Sequence, residues 1–205
     1  LKLIRPSISR LYYTSEPIKT IAKIARTCYQ SIGNNDIDLV NHLLKNKHEA
    51  MIEHISASYR VICDRGISHE IVRHRLFSFA QESTRYCKYK DNLTFIIPPW
   101  INLDPCKISM ISYLTNKMYS NWLYALLTCE DSYLRLLNDG QTTQQARSVL
   151  PNSLKTEIVI TGNAREWKHF FKLRCSKQAH PQMQEIANMI LKDIRTVIPL
   201  IFEEI

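Results

Sequence analysis

HISASYRVIC, residues 54–63, is where the pattern of this chain changes. Ile55, Ala57, Tyr59, Val61 and Cys63 alternate with His54, Ser56, Ser58, Arg60 and Ile62. A period of two sends successive side chains to opposite faces, so the stretch reads as a half-buried strand with one polar face. Upstream the period is helical. Ile18, Ile21, Ala22, Ala25, Cys28 and Tyr29 predict a helix from about Glu16 to Gln30, capped by Ser15 and with Pro17 in its first turn. A second helix is expected from Asp36 to about Asn46, burying Ile37, Val40, Leu43 and Leu44. Before both, LKLIRPSISRLYY reads as a short strand interrupted by Pro6.

Downstream, Gly66 is expected to turn the chain and Ser68 to cap a short helix, SHEIVRHR. An irregular extended segment is expected from Phe77 to about Pro99. A long helix follows from about Lys107 to Asp139, with Ile111, Leu114, Met118, Trp122, Ala125, Cys129 and Leu136 as its stripe and Gly140 closing it. A short helix over Thr143 to Leu150 stops at Pro151, and LKTEIVITG reads as another strand. Two helices close the chain, Asn163 to about Lys177 and Pro181 onward, the second interrupted at Pro199. No internal repeat or low-complexity linker divides residues 1–205. The expectation is one mixed α/β domain of α+β type, a small central sheet with several long helices.

Composition narrows the class. The chain has 205 residues, 45% of them hydrophobic, which is enough for a buried core. No apolar run reaches the length of a membrane span, and LKLIRPSISR, broken by Arg5 and Pro6, does not read as a signal peptide. A cytoplasmic protein is expected. The net charge of +8 fits a partner that carries phosphates. The six cysteines form no CxxC pair and read as reduced thiols, mostly core filler.

The charge is concentrated in RHRLFSFAQESTRY, residues 73–86, and just beyond. Arg73, Arg75, Arg85, Lys88 and Lys90 face one acidic residue, Glu82. The four glycines (Gly33, Gly66, Gly140, Gly162) are far apart, so no Rossmann turn or Walker loop exists here. Any nucleotide phosphate must meet side chains, and arginine forks suit that task. HEIVRH, residues 69–74, looks like a zinc-protease motif but carries one residue too many. Five positions along a helix turn about 500°, so the two histidines diverge by about 140°. No metal is expected. If the helix ran through SHEIVRHRL, Glu70, Arg73 and His74 would crowd one rim. Ser83 and Arg85, two apart in extended chain, would point the same way. Such a rim suits an anionic ligand with a hydrogen-bonding ring. The other readings are a structural arginine cluster tied to helix C-terminal carbonyls, a solvated face, or a nucleic-acid-binding module with arginines among aromatics.

Arg73-His74-Arg75, seven residues, then Ser83-Thr84-Arg85 resembles the RHR-x7-S-x-R signature of flavin-dependent thymidylate synthases. The likeness covers nearly the whole chain. Glu53-His54 resembles the segment before that signature, ARSVLP (146–151) and NAREWKHFFKLR (163–174) the later blocks, and AHPQMQEI (179–186) the C-terminal one. The resemblance implies conversion of dUMP to dTMP, with methylenetetrahydrofolate as carbon donor and NADPH as reductant through FAD. It also implies a homotetramer with active sites at subunit junctions, and no role for nucleic acid or membrane.

Carried onto this chain, the resemblance assigns Ser56, Arg73, His74, Arg75, Gln81, Asn163, Ala164, Arg165 and His169 to FAD. It assigns Glu70, Ile71, Val72, Arg73, Gln81, Glu82, Ser83, Thr84, Arg85 and Arg147 to dUMP. Arg147 would hold the phosphate from a neighbouring subunit. Arg174 would reach the uracil ring and favour ionisation of the nitrogen between its carbonyls, as a fixed cation does. Arg165 and His169, four apart, share a helix face, whereas Arg174 is expected to face elsewhere on a regular helix. Cys87 and Cys175 flank the motifs but occupy no signature position. Ser83 is read as a pocket residue that could in principle act as a nucleophile.

Overall fold

The structure, a computed structural model, describes residues 1–89, 92–102, 117–203 and 205. Cys106, Lys90, the expected helix start at Lys107, and Ile111 and Leu114 lie outside the described residues. The rest is a mixed α/β chain with two small sheets and several helices. It falls into two compact units.

The first unit takes Leu1–Ser7, Ile62–Ile71 and Gln81–Ile158. Strand β1 (Lys2–Ile4) pairs in parallel with β5 (Thr94–Ile96), Leu3 opposite Phe95. Pro6 does break the N-terminal strand, because it offers no N–H to a ladder. The long helix α4 is described over Lys117–Asn138. Its buried face carries Leu123, Leu126, Glu130 and Tyr133; the expected Trp122 and Leu136 pack half-buried at its edge, Cys129 is half-buried, and Ala125 is exposed. The face is set by Glu130, whose Oε1 accepts from Leu93 N–H at 2.7 Å. A stripe read from apolar residues alone passes over such an anchor. Gly140 sits at φ 83 after the helix, and Gln141 N–H returns to Leu136 O, so the predicted glycine stop is present. Helix α5 (Thr143–Ala146) and a 3₁₀ turn (Arg147–Val149) replace the single short helix expected there.

The second unit takes Ile8–Val61, Val72–Ala80 and Val159–Ile205. The four-stranded sheet has the order β2 (Ser7–Tyr13), β3 (Ser56–Asp64), β6 (Lys155–Asn163), β4 (Ser78–Gln81). β3 follows the predicted alternation: Ala57, Tyr59, Val61 and Cys63 are buried and Arg60 is exposed. His54 instead ends a 3₁₀ helix, Glu49–His54. On the polar face of the strand, Ser58 Oγ meets Thr161 Oγ1 of β6 at 2.8 Å. Helices α1 (Pro17–Tyr29) and α2 (Asp36–Lys45) pack on each other. Ser15 does not cap α1: that place falls to Glu16 in a left-handed conformation, with no side-chain cap. Cys28 and Ile37, expected inside, are exposed. Among the described cysteines Cys63 is buried and Cys28 and Cys87 are exposed, so the expectation of core filler holds for few of them.

α2 has a true side-chain cap, Asn35 Oδ1 accepting from Asp38 N–H at 3.1 Å. Asn35→Ala leaves that N–H without its cap. It is expected to cost about 1 kcal/mol, read as a lower urea midpoint with an unchanged slope.

Helices α6 (Ala164–Arg174) and α7 (Pro181–Ile194) pack together, α7 through Met183, Ile186, Ala187, Ile190, Leu191 and Ile194. Trp167 is wholly buried, stacks on Phe171, meets Tyr59 and Phe170 edge-on, and donates Nε1–H to Ala57 O at 3.1 Å. This aromatic centre fixes α6 against β3.

Candidate functional site

The predicted helix SHEIVRHR is displaced. Asp64 Oδ1 accepts from Ile67 N–H at 2.7 Å, so the helix α3 runs over Arg65–Ile71 and contains Gly66. Ser68 is buried within it and bonds back to Arg65 O. The chain leaves the helix before Arg73, which overturns the helical rim expected for Glu70, Arg73 and His74. A turn follows, closed by Phe77 N–H to His74 O at 3.1 Å. The turn alternates sharply: Arg73, Arg75 and Leu76 are exposed, His74 and Phe77 buried. Phe77 lies over β6 at Gly162, where a Cβ would fall inside its ring edge.

In the second unit a cavity of about 800 Å³ opens between this turn, the start and outer face of α6, and the 3₁₀ helix Glu49–His54. Arg73, His74, Arg75, Asn163, Arg165, His169 and Arg174 all line it. Asn163 Oδ1 caps α6 through Glu166 N–H at 2.9 Å, so the positive end of an eleven-residue helix sits at the cavity. Arg165 pairs with Glu53 at 2.5 Å and Lys168 with Glu49 at 2.6 Å. The bond from Lys168 holds the Glu49 carboxyl below its usual range, although burial opposes this. Arg174, expected to face elsewhere, reaches the same cavity: its Nε–H donates to His74 Nε2 at 2.9 Å. His74 Nδ1 lies 3.5 Å from Glu166 Oε1, with both side chains 5% exposed. Burial, then the nearby Arg174 and His169, push His74 down to about 4, so its imidazole is neutral near pH 7. Burial pushes the Glu166 carboxyl upward, against the pull of His169.

Glu70, Ile71, Gln81, Glu82, Ser83, Thr84, Arg85 and Arg147 belong to the first unit. Ser83 starts a tight turn, not extended chain. Its Oγ accepts from Arg85 N–H at 3.3 Å and its carbonyl from Cys87 N–H at 2.9 Å. Thr84 is buried, and its Oγ1 accepts from Arg147 Nη1 at 3.4 Å. Arg147, expected from a neighbouring subunit, therefore has a partner in its own chain. Gln81 Nε2 donates to Ser68 Oγ at 2.8 Å and to Thr156 Oγ1 at 3.2 Å. Glu82 accepts from Tyr89 OH at 2.7 Å and from Lys155 at 2.8 Å. The side chains of Gln81 and Glu82 thus hold the protein together, whereas Arg85 and Arg147 are exposed.

Residues 10–200 match the family model described as "Thymidylate synthase complementing protein". The chain belongs to the flavin-dependent thymidylate synthase family. It is 31% identical to the flavin-dependent thymidylate synthase of Geobacter sulfurreducens over 209 residues, covering 96% of this chain and 85% of the relative. It is 31% identical to that of Clostridium tetani, covering 98% and 87%. The fold is similar to that of the UMP/dUMP methylase PolB from Streptomyces cacaoi bound with 5-Br dUMP. The TM-score is 0.82 at 23% identity, over 99% of this chain and 96% of the other.

For a flavin-dependent thymidylate synthase, the cavity gathers most of the residues assigned to FAD. Ser56, Gln81 and Ala164 do not line it. Ser56 begins β3, where its N–H donates to Thr14 Oγ1 at 2.9 Å, and Ala164 is buried. The reading of residues missed Glu166, Lys168 and Glu49. Asn163 and Glu166 have the spacing of a capping box, which would have marked Glu166 as a helix-start residue only. Burial pushes the Cys175 thiol up, away from a nucleophilic thiolate.

His74 makes stability depend on pH. Its folded value, about 4, lies below its ordinary 6.5. Between those values the unfolded chain binds a proton that the folded chain refuses, so stability falls as pH drops through that window and is fully present above it. The loss is on the order of 2–3 kcal/mol at about pH 4. Urea midpoints at pH 7 and 4.5 should differ more for the native protein than for His74→Gln, which cancels the contribution of the carboxylates.

Proposed function

We propose that this family member methylates dUMP to dTMP with 5,10-methylenetetrahydrofolate as carbon donor and NADPH as reductant, through bound FAD. The observation that carries the reading is the shared cavity. Arg73 to Arg75 and Asn163 to Arg174 come from blocks far apart in sequence, yet line one space of about 800 Å³.

The residues there fit a flavin dinucleotide. Arg73 and Arg75 are exposed cations, and the positive end of the α6 dipole faces the same cavity, so a diphosphate can be met without a glycine loop. Arg165 and His169 on the same helix would complete its hold. When bound, FAD supplies the redox chemistry, and the protein contributes orientation and charge.

Arg174 is proposed to act on the uracil ring. A guanidinium fixed through Nε by a neutral histidine is a permanent positive charge with a set plane, and it stabilises negative charge that develops on the ring. Ser83, Thr84, Arg85 and Arg147 are proposed as nucleotide contacts, with Arg85 and Arg147 on the phosphate. Among the described residues no carboxylate or imidazole is hydrogen-bonded to Ser83 Oγ, which supports a binding role rather than a nucleophilic one. Glu70, Ile71 and Val72 are proposed near the nucleotide, and Gln81 and Glu82 as braces of its pocket. We propose further that residues 1–205 work as one domain, that four copies assemble, and that the enzyme is cytoplasmic. No helix among the described residues is long and apolar enough to cross a membrane.

The test is product formation. Protein supplied with FAD, dUMP, methylenetetrahydrofolate and NADPH should yield dTMP on chromatography, and omission of any one should abolish it. dTMP formed equally well without flavin would refute the reading.

A further inference from the structure

We propose that Glu166 is a positioning residue for Arg174, acting through the tautomer of His74. The inference rests on the reading of Arg174 as the cation at the uracil ring, but its chain of contacts is geometric. A guanidinium can only donate. Arg174 Nε donates to His74 Nε2 at 2.9 Å, so that nitrogen must be the acceptor and the proton must sit on Nδ1. Nδ1 faces Glu166 Oε1 at 3.5 Å, and both side chains are buried. A carboxylate there favours Nδ1–H. Without it, the buried N–H would have no charged acceptor, and the other tautomer would become competitive. That tautomer sets N–H against N–H at Arg174 and removes this hold on the guanidinium plane.

The surroundings hold the imidazole in this orientation. Phe170 lies 5.0 Å from its ring centre, and Phe77 and His169 lie 6.1 Å away. The ring cannot turn over without disturbing them. The charged and titratable groups that face it, Glu166, His169 and Arg174, all belong to α6. Glu166 stands three residues after the cap Asn163, where a glutamate ordinarily reaches back to the cap N–H. Here it turns inward to His74. An acidic residue that only complements the helix end would not need to be buried against an imidazole.

The experiment uses the FAD-loaded protein and its Glu166→Ala and Glu166→Gln variants. Long-range ¹H–¹⁵N correlation of the histidine rings, assigned with His74→Gln, reads the tautomer directly. The native protein should show Nδ1 protonated and Nε2 bare. Glu166→Ala should shift His74 toward the Nε2–H form and lower kcat by about 10- to 100-fold, with a smaller change in KM for dUMP. Glu166→Gln, whose amide oxygen still accepts, should keep the tautomer and most of kcat. If Glu166→Ala does not fold, Glu166→Leu fills the space and is read the same way. A His74 ring that stays Nδ1–H, with kcat within about twofold of native, overturns the proposal. A tautomer that follows Glu166 in a protein that makes no dTMP keeps the positioning device and refutes the substrate reading instead.

Discussion

Arg174→Lys is expected to lower kcat for dTMP formation by about 10²- to 10³-fold while changing folding stability by no more than about 1 kcal/mol. Arginine at this place does two things at once. Its Nε–H is committed to His74 Nε2, and the remaining guanidinium carries a delocalised charge in a plane set by that bond. Lysine keeps the charge but has one nitrogen on a flexible stem, so it can satisfy His74 or reach a substrate oxygen, not both in fixed geometry. The stability change is small because Arg174 is only partly buried. Single-turnover kinetics at saturating dUMP separate the effect from binding. A lysine variant with native kcat would remove Arg174 from the chemistry.

Gly162→Ala is expected to destabilise the protein by about 3 kcal/mol and to weaken flavin retention. A methyl group at 162 lands on the Phe77 ring. That ring cannot step aside easily. Trp167 lies 4.6 Å from its centre and Phe170 5.9 Å away, and Phe79 and His74 close the remaining sides. Overpacking of this kind forces off-rotamer side chains or a backbone shift. The shift would travel a short way, because Phe77 N–H closes the turn that carries Arg73, His74 and Arg75. Urea unfolding gives the stability, and FAD retained through gel filtration gives the site. Gly162→Ala combined with Phe77→Leu should recover part of both. Native stability in the single variant would mean that the ring does not pack on β6 as described.

The strands were legible because tertiary packing agrees with their local pattern. Residues 56–64 and 155–163 alternate, and both sit inside a sheet with one face on the aromatic centre of α6. Proline and glycine punctuation was equally reliable at Pro17, Pro181 and Gly140, since each acts through its own backbone. Competition between nearby groups was not legible. Asp64 takes the cap that Ser68 could have taken, and this starts the helix at Arg65; it stops at Ile71, before Arg73. Glu130 rotates α4 by using a carboxylate as a core anchor. At the site, the signature singled out Arg73, His74 and Arg75, which line the cavity, but helical spacing alone sent Arg174 away from His169. A long side chain at the last residue of α6 defeats that arithmetic. Glu166 was invisible for a different reason: its partner His74 is 92 positions earlier, and no local pattern links them.

The central claim is that this chain uses a bound flavin to methylate dUMP. Under anaerobic conditions, the FAD-loaded protein mixed with dUMP and NADPH should lose its flavin absorbance near 450 nm, as oxidised flavins generally do on reduction. Addition of methylenetetrahydrofolate should then restore the colour with formation of about one dTMP per flavin. Protein that retains no flavin, or a bleached flavin that is never reoxidised by dUMP and the folate and gives no dTMP, would contradict it.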